Sequence, residues 1–362
     1  MKMKAKIYAF LVILGFTVFG CKKEEVVRPP LEVSTGQVSG VEWSTATISG
    51  FVGGEGGSFV SLRGVVWGKK SKPTVDSSSK TVDGVGVGEF VSKLTNLEPG
   101  TKYYVRTYAI NYTDTMYGSE MSFTTYSWTP KDIKNVWDWW NSQYGIKKTG
   151  NLVQEWKGVN GFELEPGDEY NKALVDTADK NWGNQPSVVM NPNFKNKDCG
   201  YYTKLNLNKT SKTAILVGRV INRQTKTLNT LLSVNSDTYP RFGIWGLPGQ
   251  SYMFYDSRFP YQYGGNQYKD SSYQFIRISY DRTNGFTEYF VNNSPDFKNK
   301  LYTYQTLKGM DFVNGDLSVG DYSDKYGTTP KMSVVEVLFV DGILSEQELD
   351  MYGKYLKYKY KL

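Results

Sequence analysis

Histidine is absent from this chain of 362 residues. That excludes His-based catalytic triads, His-ligated zinc and imidazole acid-base chemistry together. Cysteine occurs twice, at Cys21 and Cys199. No disulfide framework can therefore hold the fold, and a packed apolar core must do so; Cys199 reads as a small buried apolar residue. Long hydrophobic runs are missing too, since the apolar stretch from Ile7 to Phe19 is thirteen residues, too short to cross a bilayer as a helix. Clustered basic charge is lacking: the formal charge is +7, with Lys and Arg scattered among Asp and Glu. No basic stripe answers to a phosphate backbone, so no nucleic-acid partner is expected. What is present is aromatic. Phe, Trp and Tyr make up 15% of residues, with 28 Tyr and 9 Trp, beside 36 Gly. That composition suits β-sheets and binding surfaces.

Lys2, Lys4 and Lys6 precede the Ile7 to Phe19 run, which has the length of a signal-peptide core. At its end Val18-Phe19-Gly20-Cys21 resembles the lipobox of bacterial lipoproteins. The resemblance implies a signal peptide over residues 1–20, cleavage before Cys21, a diacylglycerol on the Cys21 sulfur and acylation of the new amino terminus. Several acyl chains hold a protein stably at a membrane where one does not. The other reading is an ordinary secretory signal with an incidental cysteine. Loss of three lysines lowers the charge from +7 to +4. Lys23-Glu24-Glu25 resembles the tag that sends Bacteroidetes lipoproteins to the cell exterior, which implies an outer-membrane, surface-exposed location. Residues 21–31 read as a tether, charged and then stiffened at Pro29-Pro30.

From Glu32 to Thr125, short alternating runs such as "VEWSTATISGFV" and "KYYVRTYAINYT" are separated by turn signals. The spacing predicts an all-β sandwich over 32–125. In "LTNLEPGTKYYVRTYAINYT" the residues Leu97, Pro99, Thr101, Tyr103 and Ala109 resemble the E–F corner and F strand of fibronectin type III domains. The resemblance implies that Tyr103 is the corner tyrosine, its hydroxyl bonded to nearby backbone. Function does not follow, because such sandwiches are spacers as often as binders.

The remaining chain, residues 126–362, opens with a helix-start pattern at Thr129-Pro130-Lys131-Asp132. A short helix is expected over "KDIKNVWDWWNSQ", with Trp137, Trp139 and Trp140 sealing the join to the next domain. Ten or so strands follow, with a hairpin at Asp281-Arg282-Thr283-Asn284-Gly285 and a terminal helix begun by the capping box Ser345 to Glu348. The expectation is a two-sheet jelly roll closed by one helix. "NLVQEWKGVNG", "ILVGRV" and "VEVLFVDGILSEQELDMYGKYLKYKY" resemble the LamG-like branch of the concanavalin A-like lectin/glucanase superfamily. That resemblance specifies fold well and ligand poorly.

Catalysis has little support in the residues. Retaining glycosidases hold two carboxylates about 5 to 5.5 Å apart, which a sandwich achieves with acids two apart on one strand. The glucanase pattern Glu-x-Asp-x-Glu is absent, and Glu336 and Asp341 are five apart. "FELEPGDEY" carries Glu163, Glu165, Asp168 and Glu169, read as a solvated acidic turn broken by Pro166-Gly167. No cofactor is required; a calcium site from those side chains and Asp176 is the one metal option.

Sugar binding asks for an aromatic ring to meet the apolar face of a pyranose and for planar polar groups around its rim. The stretch from Trp245 to Tyr268 supplies both: Trp245, Tyr255, Tyr261, Tyr263 and Tyr268 interleave with Arg258, Gln262 and Asn266. Pro and Gly interrupt residues 259–268, so a loop is expected, where rings have no core to fill. The competing account is that they cover the sheet, while Tyr252 and Phe254 fill the sandwich. Trp182, in "DKNWGNQP", is a second loop tryptophan with amide neighbours and joins the candidate set. The sequence thus points to a surface lipoprotein that binds glycan through its second domain, in polysaccharide capture with a transporter or hydrolase as partner. An adhesin for a host or matrix protein is the alternative, and a glycoside hydrolase the third.

Overall fold

In the computed structural model, the alternation of apolar residues from Ala46 to Val52 becomes a strand with one dry face: Ala46, Ile48 and Val52 are buried and Phe51 is exposed. The structure describes residues 29–168, 171–193, 199–205, 210–222, 229–236, 242–246, 251–256, 259–267, 271, 273–292, 295, 302–305, 315–320 and 328–362. Side chains at 235–236, 242, 245, 251–256, 259–267, 292 and 302–305 fall outside that description. So do residues 1–28, Cys21 among them. The chain divides into two compact units, Met1–Thr125 and Tyr126–Leu362. Both are all-β sandwiches, and the second, a jelly roll, ends in a helix.

The first unit contains β1 (Glu32–Ser39), β2 (Ala46–Gly54), β3 (Leu62–Gly68), β4 (Ser79–Lys80), β5 (Gly88–Leu94), β6 (Lys102–Ile110), β7 (Thr115–Tyr117) and β8 (Met121–Thr124). One sheet runs β1-β2-β5; the other runs β4-β3-β6-β7, with β8 also on β6. Ile48, Val65, Leu94, Val105 and Phe123 fill the space between them. Tyr103 is buried, and its hydroxyl accepts the Glu98 N–H at 2.9 Å, the corner bond expected from the sequence. Leu31 and Pro29, which the sequence assigns to a tether, contact the first sandwich. Leu31 is buried in a cluster with Val52, Val60 and Ala109, and the Pro29 carbonyl accepts from Gly56, because an apolar side chain here finds a sheet to cover.

The second unit continues with β9 (Val136–Asn141), β10 (Ile146–Thr149), β11 (Leu152–Lys157), β12 (Glu163–Pro166), β13 (Leu174–Asp179), β14 (Gln185–Met190), β15 (Tyr201–Leu205), β16 (Lys212–Asn222) and β17 (Asn229–Ser236). Then come β18 (Phe242–Gly246), β19 (Ser251–Asp256), β20 (Phe259–Gln267), β21 (Tyr273–Asp281), β22 (Phe286–Asn292), β23 (Tyr302–Gln305), β24 (Gly315–Val319), β25 (Lys331–Val340) and α1 (Glu346–Tyr360). Pairings build one sheet through β11-β13-β14-β25-β16-β21-β22-β23, with β9 beside the second half of β25. The other sheet runs β12-β15-β24-β17-β18-β19-β20. Trp140, Trp156, Leu216, Leu232, Ile276 and Val337 pack between them, and Cys199 is buried with its thiol 3.9 Å from Asn191 Oδ1.

The segment expected to be helical is not. Thr129 and Asp132 do form a capping box, but it opens only a 3-10 turn, Pro130–Asp132, after which Ile133 is extended. Val136–Asn141 is rich in aromatic residues and pairs with Glu336–Val340 of β25, and that sheet contact overrides the local start signal. Two other expectations hold. Ser345 caps α1 reciprocally with Glu348, and the Asp281–Gly285 turn joins β21 to β22, with Gly285 at φ +74° donating to the Asp281 carbonyl.

Candidate functional site

The sequence-predicted aromatic segment is not a loop. Residues 242–246, 251–256 and 259–267 form three antiparallel strands, with Trp245 opposite Met253 and with Phe254 and Met253 opposite Gln262 and Tyr263. Proline is accepted because β20 has one neighbour among the described pairings. The Gly264-Gly265 pair sits where the register shifts between Ser251 and Tyr252. Trp245, Tyr255, Tyr261, Gln262, Tyr263 and Asn266 thus belong to strands, and their side chains lie outside the described ones. Arg258 and Tyr268 lie outside the described residues altogether.

Trp182 cannot be a ligand platform. It sits in the turn Lys180–Trp182 and is fully buried, its indole N–H donating to Ser333 Oγ at 3.0 Å. Its ring meets Tyr273 and Tyr360 edge-on, with centroids 5.1 and 5.4 Å away. The neighbouring amides that suggested a binding loop instead form the turn, where Asp179 accepts the Asn181 N–H at 3.0 Å and drives the ring inward.

The described residues bring together a different set. β12 leaves β11 and crosses to β15, so that Glu163 pairs with Lys157 in one sheet and Glu165 with Tyr202 in the other. Along this crossing lies an open groove of about 380 Å³ lined by Phe162, Glu163, Glu165, Tyr202 and Lys204 among others. Leu164 is buried while Glu163 and Glu165 point outward, as the alternation of a strand requires. Glu163 and Glu165, expected in a solvated acidic turn, therefore lie on a strand that Pro166 ends. Glu163 bonds Lys157 at 3.3 Å.

Phe162 is held from three directions by one strand. Its N–H donates to Asp138 Oδ2 at 2.8 Å, its carbonyl accepts from Trp140 Nε1 at 3.0 Å, and its ring stacks on Trp137 at 3.6 Å between centroids. Trp137, Asp138 and Trp140 all belong to β9. Asp138 is fully buried and also accepts from Asn160 at 2.9 Å. Burial pushes its carboxyl up, while the N–H groups of Asn160, Trp139, Phe162 and Val159 pull it back down. Gly158 leaves the space: a Cβ there would lie 2.3 Å from the Asp138 carboxylate. Despite this grip, the Phe162 side retains 40% exposure. Its signal in the sequence was faint, one apolar residue in a turn beside two acids. The three tryptophan-strand contacts that fix it are separated from it by some twenty positions.

Among the described residues no group of three or more Cys, Asp or Glu side chains converges as a metal site. Asp168 binds Asn171, Asp176 caps its own turn at Ala178, and Glu169 lies outside the described residues.

No family profile and no curated protein sequence matches this chain. Among solved structures, the Trypanosoma rangeli sialidase in complex with sialic acid is similar over 91% of this chain and 54% of its own, at 11% identity and a TM-score of 0.44. This chain thus spans about half the sialidase's length. The botulinum neurotoxin serotype D binding domain matches over 58% of this chain and 50% of its own, at 8% identity and a TM-score of 0.40. The sensor domain of the anti-sigma factor RsgI4 of Pseudobacteroides cellulosolvens covers 28% of this chain and 98% of its own, at 19% identity and a TM-score of 0.22. At these identities and scores the similarity carries nothing about what this chain does.

Proposed function

We propose that this chain is a cell-surface lipoprotein, anchored in the outer membrane through Cys21, whose second sandwich binds glycan without cleaving it. In this reading the first sandwich is fibronectin type III-like and the second LamG-like. The bound polysaccharide is handed to a transporter or hydrolase.

The observation that carries the proposal is the groove along β12 and β15. A half-exposed, rigidly clamped Phe162 offers a flat apolar face, and Glu163, Glu165 and Lys204 supply the rim of acceptors and donors that sugar hydroxyls need. A ring already fixed in place costs little entropy on binding. An adhesin would be better served by a broad apolar patch than by this charged cleft. The hydrolase reading draws on Glu163 and Glu165, two apart on one strand. Against it, the Lys157 ammonium sits 3.3 Å from Glu163, whose side chain is 38% exposed in an open groove. A general acid needs a dry site to hold its proton.

The test is a glycan array on the chain from residue 22 onward, with F162A/Y202A and Y261A/Y263A beside it and product analysis on any glycan retained. Binding of a polysaccharide that F162A/Y202A weakens at least about tenfold is the expected result. Loss confined to Y261A/Y263A would move the site to β20. Release of shorter sugars, abolished by E163Q/E165Q, would replace binding by hydrolysis. No glycan retained by the parent chain would refute the reading.

A further inference from the structure

The first sandwich has its own cavity, and its chemistry differs from that of the groove. Between the β3–β4 connection and the turn before β6 lies an open cavity of about 810 Å³, lined by residues that include Trp67, Lys70, Lys72, Ser78, Thr95 and Asn96. That volume falls within the range of small-molecule sites.

We propose that this cavity binds an acidic saccharide, one carrying carboxylate or sulfate groups. Three observations lead there. First, the cationic charge is unspent. Of the three lysines lining the cavity, Lys69 is neutralised by Glu98 at 2.6 Å. Lys70 and Lys72 are exposed and their ammonium groups have no acidic partner among the described residues. Glu120 is committed to the turn. Its carboxylate accepts from Ser71 Oγ at 3.0 Å and from the Lys72 N–H.

Second, that turn is held in an unfavourable backbone shape with a lysine in it. Lys72 has φ +57°, a conformation that glycine or asparagine adopts more easily. The Glu120 bonds to the Ser71 hydroxyl and the Lys72 N–H compensate, and they hold the Lys72 backbone in the wall of the cavity.

Third, the wall contains a ring. Trp67 is half-buried: one side packs on the core beside Val65 and Val105, and the rest lines the cavity, with Ser79 opposite it on β4. An inorganic anion needs no indole, and a neutral sugar needs no ammonium pair. A sugar ring with an anionic substituent uses both, with the hydroxyls and amide of Ser78, Thr95 and Asn96 for its remaining oxygens. Single-stranded nucleic acid also combines rings with negative charge, but the cavity presents no arginine for bidentate phosphate contacts.

The proposal is independent of the second sandwich, and the experiment keeps the two apart. Calorimetric titrations of the chain from residue 22 onward would use a hexagalacturonate, a heparin-derived hexasaccharide, a neutral maltohexaose, polyacrylate and an oligothymidylate. At least one acidic hexasaccharide should bind, more tightly than any other probe. K70A/K72A, a change of two exposed side chains, should weaken it by about tenfold or more, W67F should weaken it measurably, and F162A/Y202A should leave it within about twofold. Four results would overturn the idea: no acidic hexasaccharide bound, K70A/K72A without effect, W67F without effect while the lysines matter, or polyacrylate or oligothymidylate bound as tightly. The last would mean that only bulk charge is being read.

Discussion

Lys359 Nζ lies 3.0 Å from Glu336 Oε1, with 11% and 0% of the two side chains exposed. The carboxylate sits on β25, on the face away from the inter-sheet core that receives Val337 and Phe339. It also accepts from Trp139 Nε1 at 3.1 Å, Tyr352 OH at 2.9 Å and Tyr360 OH at 2.8 Å. The ammonium lies 5.1 to 5.3 Å from the ring centroids of Trp139, Tyr355 and Tyr360. One buried ion pair therefore fastens α1 to the sheet. Removing only the cation, in K359M, leaves a buried charge and should cost about 3 to 5 kcal/mol, whereas E336Q/K359M, which removes the charge and keeps an acceptor for the Trp139, Tyr352 and Tyr360 donors, should recover most of it. Urea unfolding followed by tryptophan fluorescence checks this; a K359M chain as stable as its parent would contradict it.

The same cluster sets an alkaline limit. Burial, and then the Glu336 charge, push the Tyr352, Tyr355 and Tyr360 hydroxyls well above their ordinary value of 10.0. The unfolded chain therefore releases these protons at lower pH than the folded one. Their contribution is intact below about pH 10 and is lost as pH rises further, by up to about 1.4 kcal/mol per pH unit for each tyrosine. Thermal melts between pH 8 and 11 should show the second unit losing stability steeply above pH 10, and Y352F should flatten the slope.

In the first unit, Y103F removes the acceptor of the Glu98 N–H while keeping the ring stacked on Phe123 at 5.8 Å. A loss of about 1 kcal/mol is expected, the net worth of one such bond. Denaturant titration of the first unit's transition would reveal it, and an unchanged midpoint would show the bond to be dispensable.

Trp182 separates stability from binding. W182A should cost about 3 to 5 kcal/mol through the cavity it leaves. W182F keeps most of the ring and loses the Ser333 bond, so it should be milder and leave glycan affinity unchanged. A selective loss of binding in folded W182F would return this residue to the site.

Asp138 acts on the groove at one remove. D138A frees the Phe162 and Asn160 N–H groups and lets the ring leave Trp137. Glycan affinity should fall with it, and amide exchange at residues 158–162 should quicken. Slow exchange retained in D138A would mean that the two tryptophan contacts suffice.

Much was legible in the sequence because it is local. The β2 alternation, the Tyr103 corner, the Asn284-Gly285 hairpin and the Ser345 cap each rest on spacings of a few residues that the backbone reads directly. The misreadings share one cause. Thr129 to Asp132 announces a helix, yet pairing with Glu336–Val340, some two hundred residues away, makes Val136–Asn141 a strand. Pro260 and two glycines suggest a loop, yet β19 supplies a partner that tolerates them.

The sequence by itself determined that the chain is all-β, held by an apolar core rather than a disulfide framework, and barred from imidazole chemistry. Only the tertiary structure decided which aromatic rings are spent inside and which stay wet. Trp182 and Phe162 are both single aromatic residues in turns, and nothing in their flanking residues says that one is sealed under Ser333 and the other left 40% exposed. Exposure depends on what the distant strands bring to cover a side chain, and local composition does not carry that information.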